Sequence, residues 1–272
     1  NRSFWSPRVA WNSRRNEYLV VWHAVDTTTG LPNDVAAARV SAGGTVLPGA
    51  PRLITAEGRP HSADVTYNPA MDEYLVVWTK IGTGMDGNIW GALLRGSHLA
   101  FIAPGPFPVS AEPEDQRSPA VTTNGWDSYM VAWEHAYPGP CCDWDMRGQE
   151  YDMLGMPVGV EIRISQSADD ETNVRVAARP GKKRDFMAVW QKETTIGTEI
   201  WAERWGDVQV PYEYFQVASA AWWAHTRPEV MIAGPRYYFV YEADSLGDPT
   251  VFRHIFARGW TANVTYVPLL LR

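Results

Sequence analysis

One strand pattern recurs five times along this chain of 272 residues, each copy closing on a large aromatic. The copies are Glu17-Tyr-Leu-Val-Val-Trp22, Glu73-Tyr-Leu-Val-Val-Trp78, Ser128-Tyr-Met-Val-Ala-Trp133, Asp185-Phe-Met-Ala-Val-Trp190 and Arg236-Tyr-Tyr-Phe-Val-Tyr241, with closing aromatics 56, 55, 57 and 51 residues apart. A preceding strand repeats in step, its valines Val9, Val65, Val121, Val176 and Val230 recurring every 54 to 56 residues. Tight turns such as Asn68-Pro-Ala-Met-Asp72 join the two strands, and their composition is that of hairpin loops. A third strand led by Asp34, Asn88, Asp145 or Glu199, and a fourth such as Arg52-Leu-Ile-Thr55 or Glu161-Ile-Arg-Ile-Ser165, complete each period. Four short strands per long period make a propeller blade. The chain is therefore expected to be all-β: a single five-bladed β-propeller domain, four antiparallel strands per blade, with blades near residues 1–56, 57–112, 113–168, 169–222 and 223–272.

The Tyr-Leu-Val-Val-Trp runs are apolar without alternation, as expected of a strand packed between two neighbouring blades and buried on both faces. Fourteen Trp and twelve Tyr suit wedge-shaped packing between blades and also supply flat surfaces for ligands. Each blade reads as one contiguous repeat, so ring closure is expected from packing of the fifth blade on the first.

Twenty-four Lys and Arg against 31 Asp and Glu leave a net charge of -7. No basic stretch is long enough to follow a phosphate backbone, which argues against nucleic acid as a partner. The longest apolar runs fall far short of the roughly 20 residues that span a bilayer, and no membrane insertion is expected. The sequence starts at Asn1 with no apolar leader, which is read as trimming of an exported precursor and an extracellular or cell-surface location.

The pattern Pro-x-Val-x-x-Asn, followed by Glu-Tyr-Leu-Val-Val-Trp and an acid-led third strand, resembles the repeats of secreted bacterial β-propeller proteins over essentially the whole chain. Five-bladed propellers include glycosidases with carboxylates at the channel mouth and sugar-binding lectins, and this sequence departs from both in the residues that would carry function. The resemblance brings no catalytic motif that can be matched residue by residue. No nucleophile elbow, phosphate loop, dinucleotide fingerprint or zincin motif is present either.

In this strand order, the loops entering the first strands and leaving the second strands open on one face, around the axis. Trp5, Trp144, Trp222 and Trp223 are placed there in loops, with His225 and Arg227 beside the Trp pair. Exposed indoles stack on sugar rings, and equally such loops can fold over blade edges and bury them. Glu134 and Glu242 directly follow a second-strand aromatic, a slot held by His23, Thr79 and Gln191 in the other blades, and are the candidate carboxylate pair for glycoside hydrolysis. His23, His61, His135 and His225, from different blades, could ring the mouth and hold a metal ion, or be scattered loop histidines. No other cofactor is implied. Asp86-Gly-Asn88 and Asp143-Trp-Asp145 lack the full oxygen-ligand pattern of a calcium loop. Cys141 and Cys142 are adjacent and are read as a vicinal disulfide stiffening a loop tip, with free thiols, thiolate ligands or an intermolecular bridge as alternatives. The opposite face carries Arg14, Arg15, Lys182, Lys183, Arg184 and Arg236, either an arc for an anionic surface or solvated turns.

The leading expectation is a secreted recognition module that binds glycan, or another surface protein, through one face. The alternatives are a glycoside hydrolase using channel-mouth carboxylates, a protein with a histidine-lined metal site, and a structural component of a surface assembly.

Overall fold

The computed structural model describes residues 2–82, 86–103, 105–137, 143–206, 213–219, 223–245, 254–261 and 264–270, with backbone only for Arg2, Trp223, Ser245, Thr261 and residues 264–270. Cys141, Cys142 and Trp222 lie outside the described residues. The first blade contains β1 (Arg2–Asn12), β2 (Glu17–Asp26), β3 (Pro32–Ser41) and β4 (Arg52–Thr55). The second contains β5 (Pro60–Asn68), β6 (Glu73–Ile81), β7 (Gly87–Arg95) and β8 (Phe107–Ser110). In the third are β9 (Gln116–Thr123), β10 (Ser128–Ala136), β11 (Trp144–Asp152) and β12 (Pro157–Arg163). The fourth holds β13 (Glu171–Ala178), β14 (Asp185–Thr194), β15 (Gly197–Gly206) and β16 (Glu213–Ala218). The fifth holds β17 (Trp223–Ala233), β18 (Arg236–Ser245), β19 (His254–Thr261) and β20 (Val264–Leu270). Each set forms one four-stranded meander in sequence order. Successive first strands β1, β5, β9, β13 and β17 are neighbours, which makes them the inner strands of a five-bladed propeller.

The cores lie between blades, as the apolar middle strands require. Separate clusters join blades one and two, two and three, three and four, and four and five. Trp78, Trp133 and Trp190, which close three of the repeats, are fully buried in them, each contributing about 2–3 kcal/mol by removal from water. The residue that opens each repeat is also used. Tyr129 Oη donates to Glu73 Oε1 at 2.7 Å and Tyr237 Oη to Asp185 Oδ1 at 2.8 Å, so the acid of one blade holds the tyrosine of the next. Where the following residue is Phe186 and has no hydroxyl, the preceding blade carries Ser128 instead of an acid.

The contact between blades five and one is different from the expectation of ring closure by packing. Among the described residues no core cluster spans it. Val9 and Trp11 are 61% and 55% exposed, whereas their second-blade counterparts Val65 and Tyr67 are 6% and 7% exposed. On the facing side, Met231 and Ile255 are also exposed. The tyrosine rung is lost too, because the fifth repeat opens on Arg236 where Tyr18 of blade one would need an acid. One ion pair crosses the gap, Arg8 Nη1 to Glu229 Oε1 at 3.1 Å.

Every inner strand carries a bulge at the same place. Between Trp5 and Arg8, His61 and Asp64, Arg117 and Ala120, Thr172 and Arg175, and Thr226 and Glu229, two residues oppose one on the partner strand. Ser6, Ser62, Ser118, Asn173 and Arg227 take the left-handed conformation there, with φ of 49, 49, 52, 57 and 51°. Proline follows three of them, Pro7, Pro119 and Pro228, at a position where the missing N–H costs no ladder bond. The strands thus continue through the bulge toward the mouth. Trp5, Trp144, His61, His225 and Arg227, expected in loops, are strand residues, and so are His23, Glu134, His135 and Glu242.

On the opposite face, the basic hairpins serve mainly as staples. Arg14 Nη2 donates to Ala70 O at 2.9 Å, Arg15 grips Asp72, and Arg184 Nε donates to Glu150 Oε2 at 2.8 Å. Lys182, Lys183 and Arg236 remain exposed.

Candidate functional site

The bulges turn the inner strands so that residues of several blades meet on the axis. A cavity of about 170 Å³ is lined by Ser6, Arg8, Ser62, Ala63, Ser118, Pro119, Asn173 and Arg175. Two residues beyond each bulge lie Arg8, Asp64, Ala120, Arg175 and Glu229, each just ahead of the recurring valine. Four of these five are charged. Glu229 Oε1 accepts from Arg8 Nη1 at 3.1 Å and from Arg175 Nε at 3.2 Å, while no described residue donates to its Oε2. Arg175 Nη1 also donates to Val174 O at 2.7 Å, which fixes its guanidinium plane. Asp64 Oδ2 accepts the N–H of Val121 from the next blade at 2.9 Å. Its carboxyl is half-buried yet lies deep on the axis, and desolvation pushes its pKa up to about 6. Arg8 and the two backbone donors oppose that rise, and Glu229 reinforces it.

Around this centre, the variable slot after the second-strand aromatic bonds, in blades two to five, to a bulge residue of the next blade or of its own. Thr79 Oγ1 accepts the N–H of Ser118 at 3.2 Å, and Glu134 Oε1 accepts the N–H of Asn173 at 2.8 Å, so each holds the next blade's bulge. Gln191 Oε1 accepts from Asn173 Nδ2 at 3.1 Å. Glu134 is buried and its Oε2 takes a 2.6 Å bond from Arg117 Nε, so both its oxygens are occupied. Burial raises its pKa, against Arg117 and the Asn173 amide. Glu242 pairs with the exposed Arg227 at 3.3 Å in blade five. These two glutamates belong to different blade latches, and neither lines the axial cavity.

Of the aromatic candidates, only Trp5 and Trp144 have described side chains. Trp144 packs on the Arg117 guanidinium at 3.5 Å from ring centroid to Cζ, which removes it as a free stacking surface. Trp5 is exposed and pairs across the strands with His23, and Trp223 pairs with Ser245 through its backbone. His225 lies with Nδ1 3.3 Å from Thr198 O and its ring edge-on to Tyr241. Arg227 extends toward Glu242.

The four histidines do not form one ligand set among the described residues. His23 and His61 are ring neighbours at 6.4 Å, on rungs whose side chains share a face of the sheet. His135 pairs with Gln116 and His225 with Ala243, one rung further along, and strand alternation sends them to the other face of their blades. Burial lowers the pKa of all four, keeping them neutral, and each has its own surroundings.

No protein-family model and no curated relative matches the sequence. Solved structures do match the fold. A thermostable family-43 glycoside hydrolase superposes with a TM-score of 0.57 over 98% of this chain and 93% of its own, at 9% identity. An endo-arabinase from Bacteroides thetaiotaomicron gives 0.56 over 98% and 94%, at 10% identity. A β-xylosidase/α-arabinofuranosidase from a compost microbial metagenome, solved with xylotriose, gives 0.54 over 98% and 94%, at 12% identity. This is a five-bladed propeller of the kind found in glycoside hydrolases. The likeness is one of architecture, and it corrects the expectation of a recognition module. The three proteins just named share this ring over nearly its full length and bear the names of glycoside-cleaving enzymes, and the aromatic side chains described here do not form one surface.

The axial residues Arg8, Asp64, Arg175 and Glu229 were not singled out from the sequence as site residues. A signal was present: each precedes the recurring valine, so the repeat alone assigns them one radial position. What it lacks is any mark that this position faces the axis, which depends on the bulge.

Proposed function

We propose that this chain is a glycoside hydrolase whose chemistry is carried by the axial carboxylates Asp64 and Glu229. The observation that supports this reading most is a carboxyl poised near pH 6, under the influence of Arg8 and Glu229, beside a second carboxylate held by Arg8 and Arg175, the two guanidiniums that line the axial cavity. Glycoside hydrolysis needs a protonated acid to donate to the leaving oxygen and a second carboxylate as base or nucleophile. Asp64 takes the first role, since desolvation keeps part of its population protonated near neutrality. Glu229 takes the second, oriented through Oε1 and presenting Oε2. Arg8 and Arg175 position Glu229 and can donate to substrate hydroxyls. A cavity of about 170 Å³ is smaller than the ~300 Å³ lower bound of ordinary ligand pockets. It takes one sugar unit, with any chain lying across the mouth past Trp5 and His61. The fold counterparts favour pentose-containing polysaccharide, such as arabinan or xylan, as the substrate class.

Release of new reducing ends from arabinan, xylan and aryl pentosides decides the matter. Asp64→Asn and Glu229→Gln are each expected to lower kcat/KM by at least ~10³-fold, with Glu242→Gln near wild type. Full activity in both axial variants would assign the chemistry elsewhere. Absence of product from every glycan offered to the folded protein would reject the reading.

A further inference from the structure

Away from the axis, the segment joining β8 to β9 carries Glu112 and Glu114 over the buried ring of His135 on β10. The segment is pinned on both sides. Gln116 Nε2 donates to Glu112 O at 3.3 Å, Ala136 N to Asp115 O at 2.8 Å, and Gly87 N to Asp115 Oδ1 at 2.5 Å. His135 is 2% exposed, and its imidazole makes no hydrogen bond. Nδ1 is sealed from solvent without a partner, and Nε2 stands 3.9 Å from Glu112 Oε2, too far for a hydrogen bond. Buried polar groups are nearly always satisfied; here neither ring nitrogen is hydrogen-bonded, and Nε2 is the one that faces the Glu112 carboxylate. One donor atom from each of Glu112, Glu114 and His135 lies within 4.8 Å of the others.

We infer that Glu112, Glu114 and His135 bind a divalent transition-metal ion at the mouth of the third blade. Burial, with Arg147 acting in the same sense, holds the imidazole neutral, the form that coordinates, while Glu112 and Glu114 act against that trend. One nitrogen and two carboxylates suit Zn²⁺ or Mn²⁺ better than Ca²⁺, which takes six to eight oxygens. Bonds of about 2.0–2.2 Å place tetrahedral donors about 3.3 Å apart, so the donors close inward by up to about 1.5 Å. Glu112 is exposed enough to swing. The nearby cations are engaged elsewhere: Arg147 with Glu161 and Arg163 with Gln166, each at 3.0 Å. The fourth position is left to water, and the ion would tie the β8–β9 segment to the second strand of the same blade.

Calorimetric titration of chelator-stripped protein with Zn²⁺ alone tests this, with Co²⁺ absorption as a check on geometry. One ion per chain is expected, with a rise in Tm on binding. Affinity should fall at least ~100-fold in the exposed double variant Glu112→Gln/Glu114→Gln and be unchanged in His23→Asn/His61→Asn. The double variant alters only residues with solvent access, so its folding, verified by circular dichroism, does not rest on replacing His135. No binding, full affinity in that double variant, or loss confined to the His23 and His61 variant would overturn the inference.

Discussion

At the scale of single residues, two carboxyls show how position rather than identity sets their chemistry. Asp64 lies under the influence of Arg8 and Glu229, whereas Glu171 is sealed beneath Ser165 and Ser167 and its pKa is pushed up to about 7 by burial. For Glu171 the folded value lies above the unfolded one. Its stabilising contribution is complete below about pH 4.5 and is lost as pH rises through about 7. Glu171→Gln should therefore gain on wild type between pH 5 and pH 8, by about 2–3 kcal/mol at most, read as the Tm difference across that range. A constant difference would mean that the carboxyl is ionised in the folded state. For Asp64, as the proposed acid, kcat/KM should fall as pH rises through about 6, and this limb should disappear in Asp64→Asn. Glu134, a candidate for catalysis by sequence, instead belongs to a latch in which removing the charge strands Arg117 and the Asn173 amide. Glu134→Gln is expected to cost about 1–3 kcal/mol in denaturant unfolding. Sequence showed that this slot varies among repeats, but not that its side chain is consumed by the neighbouring blade.

Elements were legible where their signal was local. Middle strands announce themselves through runs such as Tyr74 to Trp78, and hairpins through Asn, Pro and Gly. The inner strands were read too short, because the strand continues through a left-handed residue that is serine in three blades rather than glycine. Ser6, Ser62 and Ser118 have no sequence mark of positive φ beyond the residue that follows them. Yet the bulges are what rotate Arg8, Asp64, Arg175 and Glu229 onto a common axis. A β-branched residue is strongly disfavoured in that conformation. Ser118→Val is expected to lose about 1–2 kcal/mol in urea unfolding and to lower activity beyond its effect on stability, since it displaces the wall of the cavity. Unchanged stability would show that the left-handed bulge is not kept in solution.

For the whole molecule, four interfaces of the ring are well packed, while the contact of blades five and one has no core cluster among the described residues. Trp133→Ala, inside the contact of blades two and three, should cost about 3–5 kcal/mol, whereas Trp11→Ala, on the exposed side of blade one, should cost under about 1 kcal/mol. Amide exchange should likewise be faster in β1 and β19 than in β6, β10 and β14. A Trp11→Ala cost equal to that of Trp133→Ala would mean that the two ends of the ring close tightly in solution. Sequence by itself determined the blade, the number of blades and which strands are buried on both sides. Those properties follow from apolar runs and turn residues within one period of about 55 residues. The weak contact between blades five and one ran against the closure by packing that the repeats led us to expect, although Arg236 stands where the other rungs place an acid or serine. Only the tertiary structure decided which side chains meet on the axis, that His135 lies under Glu112 and Glu114, and that the four mouth histidines part company. Those outcomes depend on bulge twist, on strand alternation and on contacts between residues some 20 to 220 positions apart, none of which is written in any single repeat.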